Sequence, residues 1–261
     1  MKHGPAISAA GERALPIAAL LALCGLAWVY VLYLAWGMEH MEVGAGLAIM
    51  PRMTAWGAVD VVLVFVMWAI MMIAMMLPSA APMLLAFAAL SRKLREPRPS
   101  TELFTFAGGY IVVWCGFSLL ATFLQWGLLE ARLVSPMMEV SSRWLGSVLL
   151  IAAGVYQLTP LKQTCLARCR SPLAFLTAEW RKGLRGAFVM GVRHGFFCLG
   201  CCWLVMLLLF VLGIMNVVWI AVLAAFVLAE KTLPANRWAS AAGGLIFLGW
   251  GVALLSSRAV G

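Results

Sequence analysis

Apolar positions run along this chain in blocks far longer than a helix needs to bury a single face. Runs of about 20 mainly apolar residues, the length that crosses a hydrocarbon core, fall at roughly 15–36, 57–78, 103–129, 144–160, 195–213, 216–233 and 238–256. The pattern predicts an all-α fold, a polytopic bundle of about seven spanning helices in one integral membrane domain over 1–261. The stretch 79–90 is apolar but too short to cross alone. It reads as an extension of the second helix, broken at Pro78 and Pro82. Lys2 and Arg13 precede the first run as they would a secretory signal. The run is too long for that, ends among Trp28, Tyr30 and Trp36, and lacks a small-x-small cleavage pattern, so 15–36 is read as a retained anchor.

The polar positions between the blocks have their own order. Ser171-Pro172 makes an N-cap and first-turn pair. Behind it Leu176, Trp180, Leu184, Phe188 and Val192 recur every fourth residue, with Arg181, Lys182 and Arg185 off that stripe. This predicts an amphipathic helix lying along the inner leaflet.

Composition removes one class of function. With 64% hydrophobic and 11% charged residues and a mean hydropathy of +1.00, the chain is not a water-soluble globular enzyme, which averages about 25% charged. The formal charge of +9 would suggest nucleic acid in a soluble domain. Here it reads instead as the positive-inside bias, and no nucleic-acid partner is expected. Of the 19 Lys and Arg residues, Lys2, Arg13, Arg92, Lys93, Arg95, Arg98, Lys162, Arg168, Arg170, Arg181, Lys182, Arg185, Arg193, Lys231 and Arg237 fall on one side, against Arg52, Arg132, Arg143 and Arg258 on the other. The bias places the N-terminus in the cytoplasm and the C-terminus outside a bacterial inner membrane.

Soft ligands are the remaining unusual feature. On the second helix Met67, Met71 and Met75 are spaced four apart, and Met72 and Met76 continue an adjacent stripe, so five thioethers share one broad face. On the fifth helix His194, Cys198, Cys202 and Met206 repeat every four residues, with Cys201 beside them. Counted from Pro78 as the inner end, Met72 matches the depth of Cys201 and Cys202, and Met67 that of Met206. Cys165 and Cys169, also four apart, follow the fourth helix where the fifth begins. Five of the 7 cysteines thus converge on the cytoplasmic side, where disulfides are disfavoured. Thiolate and thioether ligands favour Cu(I), and thiolate with imidazole also serves Zn(II). Thiol redox chemistry and plain packing remain alternatives.

Other polar residues weigh less. Cys24 and Cys115 are isolated and read as packing residues, and Asp60 reads as a solvated group near the outer interface. Glu230, next to Lys231 at the inner end of the sixth helix, is placed to pair with Lys231, Arg193 or His194. Met38, Glu39, His40, Met41 and Glu42 offer mixed ligands on the outer side but read best as a solvated loop. No Walker or Rossmann glycine pattern is present. With 3 histidines, none mid-membrane, a bis-histidine haem cannot be built.

The segments VMWAIMMIAMMLPSAAPM, AGVYQLTPLKQTCLARCRSPLAF and GVRHGFFCLGCCWLVMLLLFVLGIMNVVWIAVLAAFVLAEKTLP resemble a bacterial family of predicted metal-binding integral membrane proteins, catalogued as a domain of unknown function, over roughly 60–250. The resemblance implies a polytopic inner-membrane protein with a metal-binding expectation but no reaction. Its motif positions here are Met71, Met72, Met75, Met76, Pro78, Cys165, Cys169, Cys198, Cys201, Cys202, Met206, Asn216, Glu230 and Lys231.

These readings combine into one expectation. A soft metal, Cu(I) first and Zn(II) second, sits in a pocket between the second and fifth helices and exchanges at Cys165 and Cys169 with a metal chaperone or a metalloenzyme. No catalytic residue is assigned. The alternatives are a membrane thiol oxidoreductase working through Cys198, Cys201 and Cys202, and an assembly subunit whose cysteines only pack.

Overall fold

The computed structural model describes residues 11–39, 56–133, 142–233 and 236–257. Every regular element in them is a helix: α1 Gly11–Glu39, α2 Ala58–Lys93, α3 Pro99–Glu130, α4 Arg143–Leu158, α5 Pro160–Arg170, α6 Pro172–Glu179, α7 Gly183–Leu207, α8 Leu209–Leu212, α9 Val217–Thr232 and α10 Asn236–Ser256. The expected outer-side ligands His40, Met41 and Glu42, and Lys2, Arg52 and Arg258 of the charge argument, lie outside the described residues.

Among the described residues, five helical segments are long and apolar enough to cross a membrane, or six if α4 and α5 count as one span bent by 65°. Two features separate this from the expected seven. At 16 residues, α9 extends only about 24 Å, short of a 30 Å hydrocarbon core. The other is the break at Thr159-Pro160. Thr159 is extended, with φ −73° and ψ 147°, and its hydroxyl accepts the Lys162 backbone N–H. It thus ends α4 and caps α5, with Pro160 in the first turn where its missing N–H costs nothing.

α2 corrects the expected break at Pro78 and Pro82, because both prolines lie inside one continuous 36-residue helix. A proline at position 78 leaves the carbonyl of Ala74 without its helical donor. The indole N–H of Trp28 on α1 donates to that carbonyl at 3.1 Å. Asp60, expected to be solvated, is instead buried at the start of α2, where its carboxylate accepts the Gly57 N–H at 2.9 Å.

The expected inner-leaflet helix is not one element. α6 ends at Glu179, and α7 begins at Gly183, whose φ of +74° suits glycine. The stripe is therefore divided: Leu176 is buried in α6, while Leu184, Phe188 and Val192 belong to the first half of α7.

The main packing pairs are α3 with α7, α4 with α10, and α2 with α3, with α1 laid against α2. Small residues set the closest crossings, because they let two helix backbones approach. A Cβ on Gly191 of α7 would overlap the Phe106 carbonyl of α3, and one on Gly109 of α3 would overlap the Phe188 carbonyl of α7. At the α4–α10 crossing a Cβ on Gly154 would lie 2.8 Å from the Gly244 carbonyl.

An ion pair ties α5 to α9. The Lys162 ammonium, fully buried, donates to both Glu230 oxygens at 2.6 and 2.8 Å, and Ser240 of α10 donates to the same carboxylate at 2.7 Å. Arg170 at the end of α5 donates to the Glu230 backbone carbonyl at 2.6 Å. This corrects the expected pairing of Glu230. Consecutive helical residues point about 100° apart, so Glu230 and Lys231 face different neighbours. Arg193 pairs with Glu179 instead.

Two outcomes follow from this packing. Gly191→Ala, whose methyl meets backbone that cannot move aside, destabilises by about 1–3 kcal/mol. Gly116→Ala, facing open space, leaves the thermal midpoint in detergent unchanged or raised. Glu230→Leu strands the Lys162 charge and costs about 3–5 kcal/mol, while Lys162→Met with Glu230→Leu recovers most of the loss; thermal unfolding of the two variants measures both effects.

Candidate metal centre

The site is built on α7. His194, Cys198, Cys201, Cys202 and Met206 are all buried. The Cys201 and Cys202 thiols donate back to the Cys198 carbonyl at 3.1 and 2.9 Å. This local bonding is available to small polar side chains within a helix. It draws both sulfurs toward the turn that carries Cys198.

Helices α2, α3 and α9 also meet this sulfur group. From α2, the Met76 thioether lies 3.8 Å from the Cys202 thiol. From α3, the Tyr110 hydroxyl donates to the Met76 carbonyl at 3.0 Å and lies 3.1 Å from the Cys198 sulfur. From α9, the Lys231 ammonium donates to the Cys198 sulfur at 2.9 Å and to the Ser79 hydroxyl at 2.8 Å. Ser79 in turn donates to the Met76 carbonyl at 2.8 Å. One carbonyl next to the α2 prolines thus anchors donors from both its own helix and α3.

The contact between α2 and α7 is one turn from where depth counting placed it. Met76, rather than Met72, stands opposite Cys202. The reason is the continuity of α2 through Pro78, which makes Pro78 a poor marker of the helix end. Met71, Met72, Met75 and Met206 lie in the same buried core, and the methionine face is turned inward.

α5 supplies the remaining thiols. Cys169 is buried, on the side of α5 that meets α7, and interacts electrostatically with Cys201. Cys165 is half-buried, and its sulfur would stand 2.8 Å from a Cβ at position 200, so Gly200 is what lets α5 approach α7 there. Tyr156 of α4 donates to the Gly200 carbonyl, closing the same corner. All five of these cysteines are free thiols, and Cys24 and Cys115 are free and only half-buried. Among the described residues no three His, Cys, Asp or Glu side chains are already arranged to hold a metal ion.

His194, one turn before Cys198, is enclosed by aromatic rings. Its ring centroid lies 5.6 Å from those of Tyr110 and Phe175 and 6.1 Å from that of Phe106, and its Nδ1 has no hydrogen-bond partner. Buried nitrogens are seldom left so.

Tyr110, Ser79 and Lys162 carry much of this arrangement and were missed by the motif reading. Lys162 had a signal, being an ionisable residue close to an apolar block. Tyr110 and Ser79 had none, because a neutral residue in an apolar helix has no spacing that points to a partner far away in sequence.

No curated protein and no solved structure matches the chain. A family model does: that of PpoB2, described as a copper chaperone, matches residues 65–254. The match overlaps most of the 60–250 core read from the motifs, and it contains α7, α9, α5 and the whole of the α2 methionine stripe. A metal-related domain of this extent covers well over half of the sequence, and the chain belongs to the copper chaperone family PpoB2.

Proposed function

We propose that this protein is a multi-pass protein of the bacterial inner membrane that takes Cu(I) as cargo and passes it to a soluble chaperone or a copper enzyme. The observation that carries the reading is the meeting of Met76 and Cys202 sulfurs at 3.8 Å in a buried setting. Two metal–thiolate bonds of about 2.3 Å span up to about 4.6 Å, so one ion fits between sulfurs at this separation. Thioether with thiolate is a soft donor pair, which suits Cu(I) and not the hard divalent ions.

In this reading Cys198, Cys201, Cys202 and Met76 hold the ion. Cys169, buried on α5 beside Cys201, links that group to half-buried Cys165, which exchanges copper with the partner. His194, with its open Nδ1, is a further donor near Cys198. Met75, Met72 and Met71 on α2, with Met206 on α7, line the way deeper into the bundle. The positive-inside bias puts the thiols on the cytoplasmic side, with α4–α5 and α9 as the two imperfect spans of a seven-span chain. That compartment keeps the thiols reduced and competent to bind.

Metal analysis tests the proposal. The chain purified under reducing conditions after growth in copper retains copper, and the Cys198/Cys201/Cys202→Ser variant loses most of it while keeping its helical content. Copper and zinc contents no higher in the unmodified chain than in the triple variant would overturn it.

A further inference from the structure

Lys231 is a cation buried beside the thiols without a carboxylate of its own. It is 8% exposed, and among the described residues it forms no ion pair, because the adjacent Glu230 is taken by Lys162. Its ammonium is fixed from two sides. The Cys198 sulfur accepts one N–H at 2.9 Å and the Ser79 hydroxyl another at 2.8 Å. Ser79 uses its own proton on the Met76 carbonyl, so a lone pair is what it presents to Lys231. The chain from Met76 through Ser79 and Lys231 to Cys198 holds one positive charge against the sulfur group.

We propose that Lys231 sets the selectivity of the centre, disfavouring divalent ions relative to Cu(I). The proposal rests on the copper reading and adds to it the property that the ligands alone do not supply. Thiolates and imidazole also bind Zn(II), so these donors do not by themselves exclude zinc. A fixed charge can. Repulsion from the ammonium scales with the charge of the incoming ion, so at one position Zn(II) is opposed twice as strongly as Cu(I). Low local polarity amplifies the difference, and the short tether to Ser79 keeps the ammonium from turning away.

The test compares Cu(I) and Zn(II) affinities by chelator competition under reducing conditions, on the full chain in detergent. Lys231→Met and Lys231→Gln remove the charge, and Lys231→Arg keeps it. In the neutral variants zinc binding tightens more than copper binding, and the copper-over-zinc preference falls by at least about tenfold, while Lys231→Arg stays within about threefold of the unmodified chain. Ag(I) against Cd(II), a second soft pair differing in charge, shifts the same way. An unchanged preference in neutral variants that still bind copper would overturn the role of Lys231. Absence of binding by the unmodified chain would instead overturn the copper reading beneath it. Two neutral side chains are used so that a folding defect in one leaves the comparison intact.

Discussion

An ammonium and a carboxylate taken out of water together must satisfy one another, and the Lys162–Glu230 pair does so where α5 meets α9 and α10. Breaking such a pair leaves an uncompensated buried charge, a far larger loss than the pair's net contribution when intact. Its main effect is therefore on position. α5 is a helix of only 11 residues after a 65° bend, too short to be held by apolar burial alone. Lys162 near its start and Arg170 at its end both fasten to Glu230, and the two thiols between them are carried to α7. The same carboxylate, once occupied, leaves Lys231 to face the sulfur cluster.

The prolines of α2 act in a related way. A proline inside a helix frees a carbonyl and normally invites a kink. Here the freed Ala74 carbonyl receives the Trp28 indole, which fastens α1 onto α2. Two residues later, the Met76 carbonyl accepts both Tyr110 and Ser79. One bond that a regular helix would keep to itself thus becomes a bond between helices, and the Tyr110 bond to Met76 adds another at the turn where Met76 meets Cys202.

Local features were legible in the chain. The four-residue spacing of His194, Cys198, Cys202 and Met206 is a property of one helix, and the structure keeps all four buried on α7. Long apolar runs located most helices to within a few residues. What was not legible depended on partners distant in sequence. Glu230 reaches Lys162, 68 positions away, and nothing in either neighbourhood names the other. Met76 replaced Met72 opposite Cys202 because the depth count assumed that Pro78 ended its helix. The amphipathic stripe over 172–192 was periodic but crossed Gly183, whose left-handed backbone starts a new helix. Periodicity alone does not register such a break.

The glycine crossing of α3 and α7 has a further consequence for tolerance to change. Gly109 immediately precedes Tyr110, and Gly195 sits against Val113 and the Tyr110 carbonyl, so the backbones touch at the level of the site. Where main chain rests on main chain, the relative register of two helices no longer depends on the size or rotamer of intervening side chains. The Tyr110–Cys198 separation is thereby insulated from drift at the outward-facing apolar positions of both helices, such as Val112, Leu120 and Phe196, which are exposed. Those positions are free to vary in size and shape, while the spacing of the sulfur cluster stays constant.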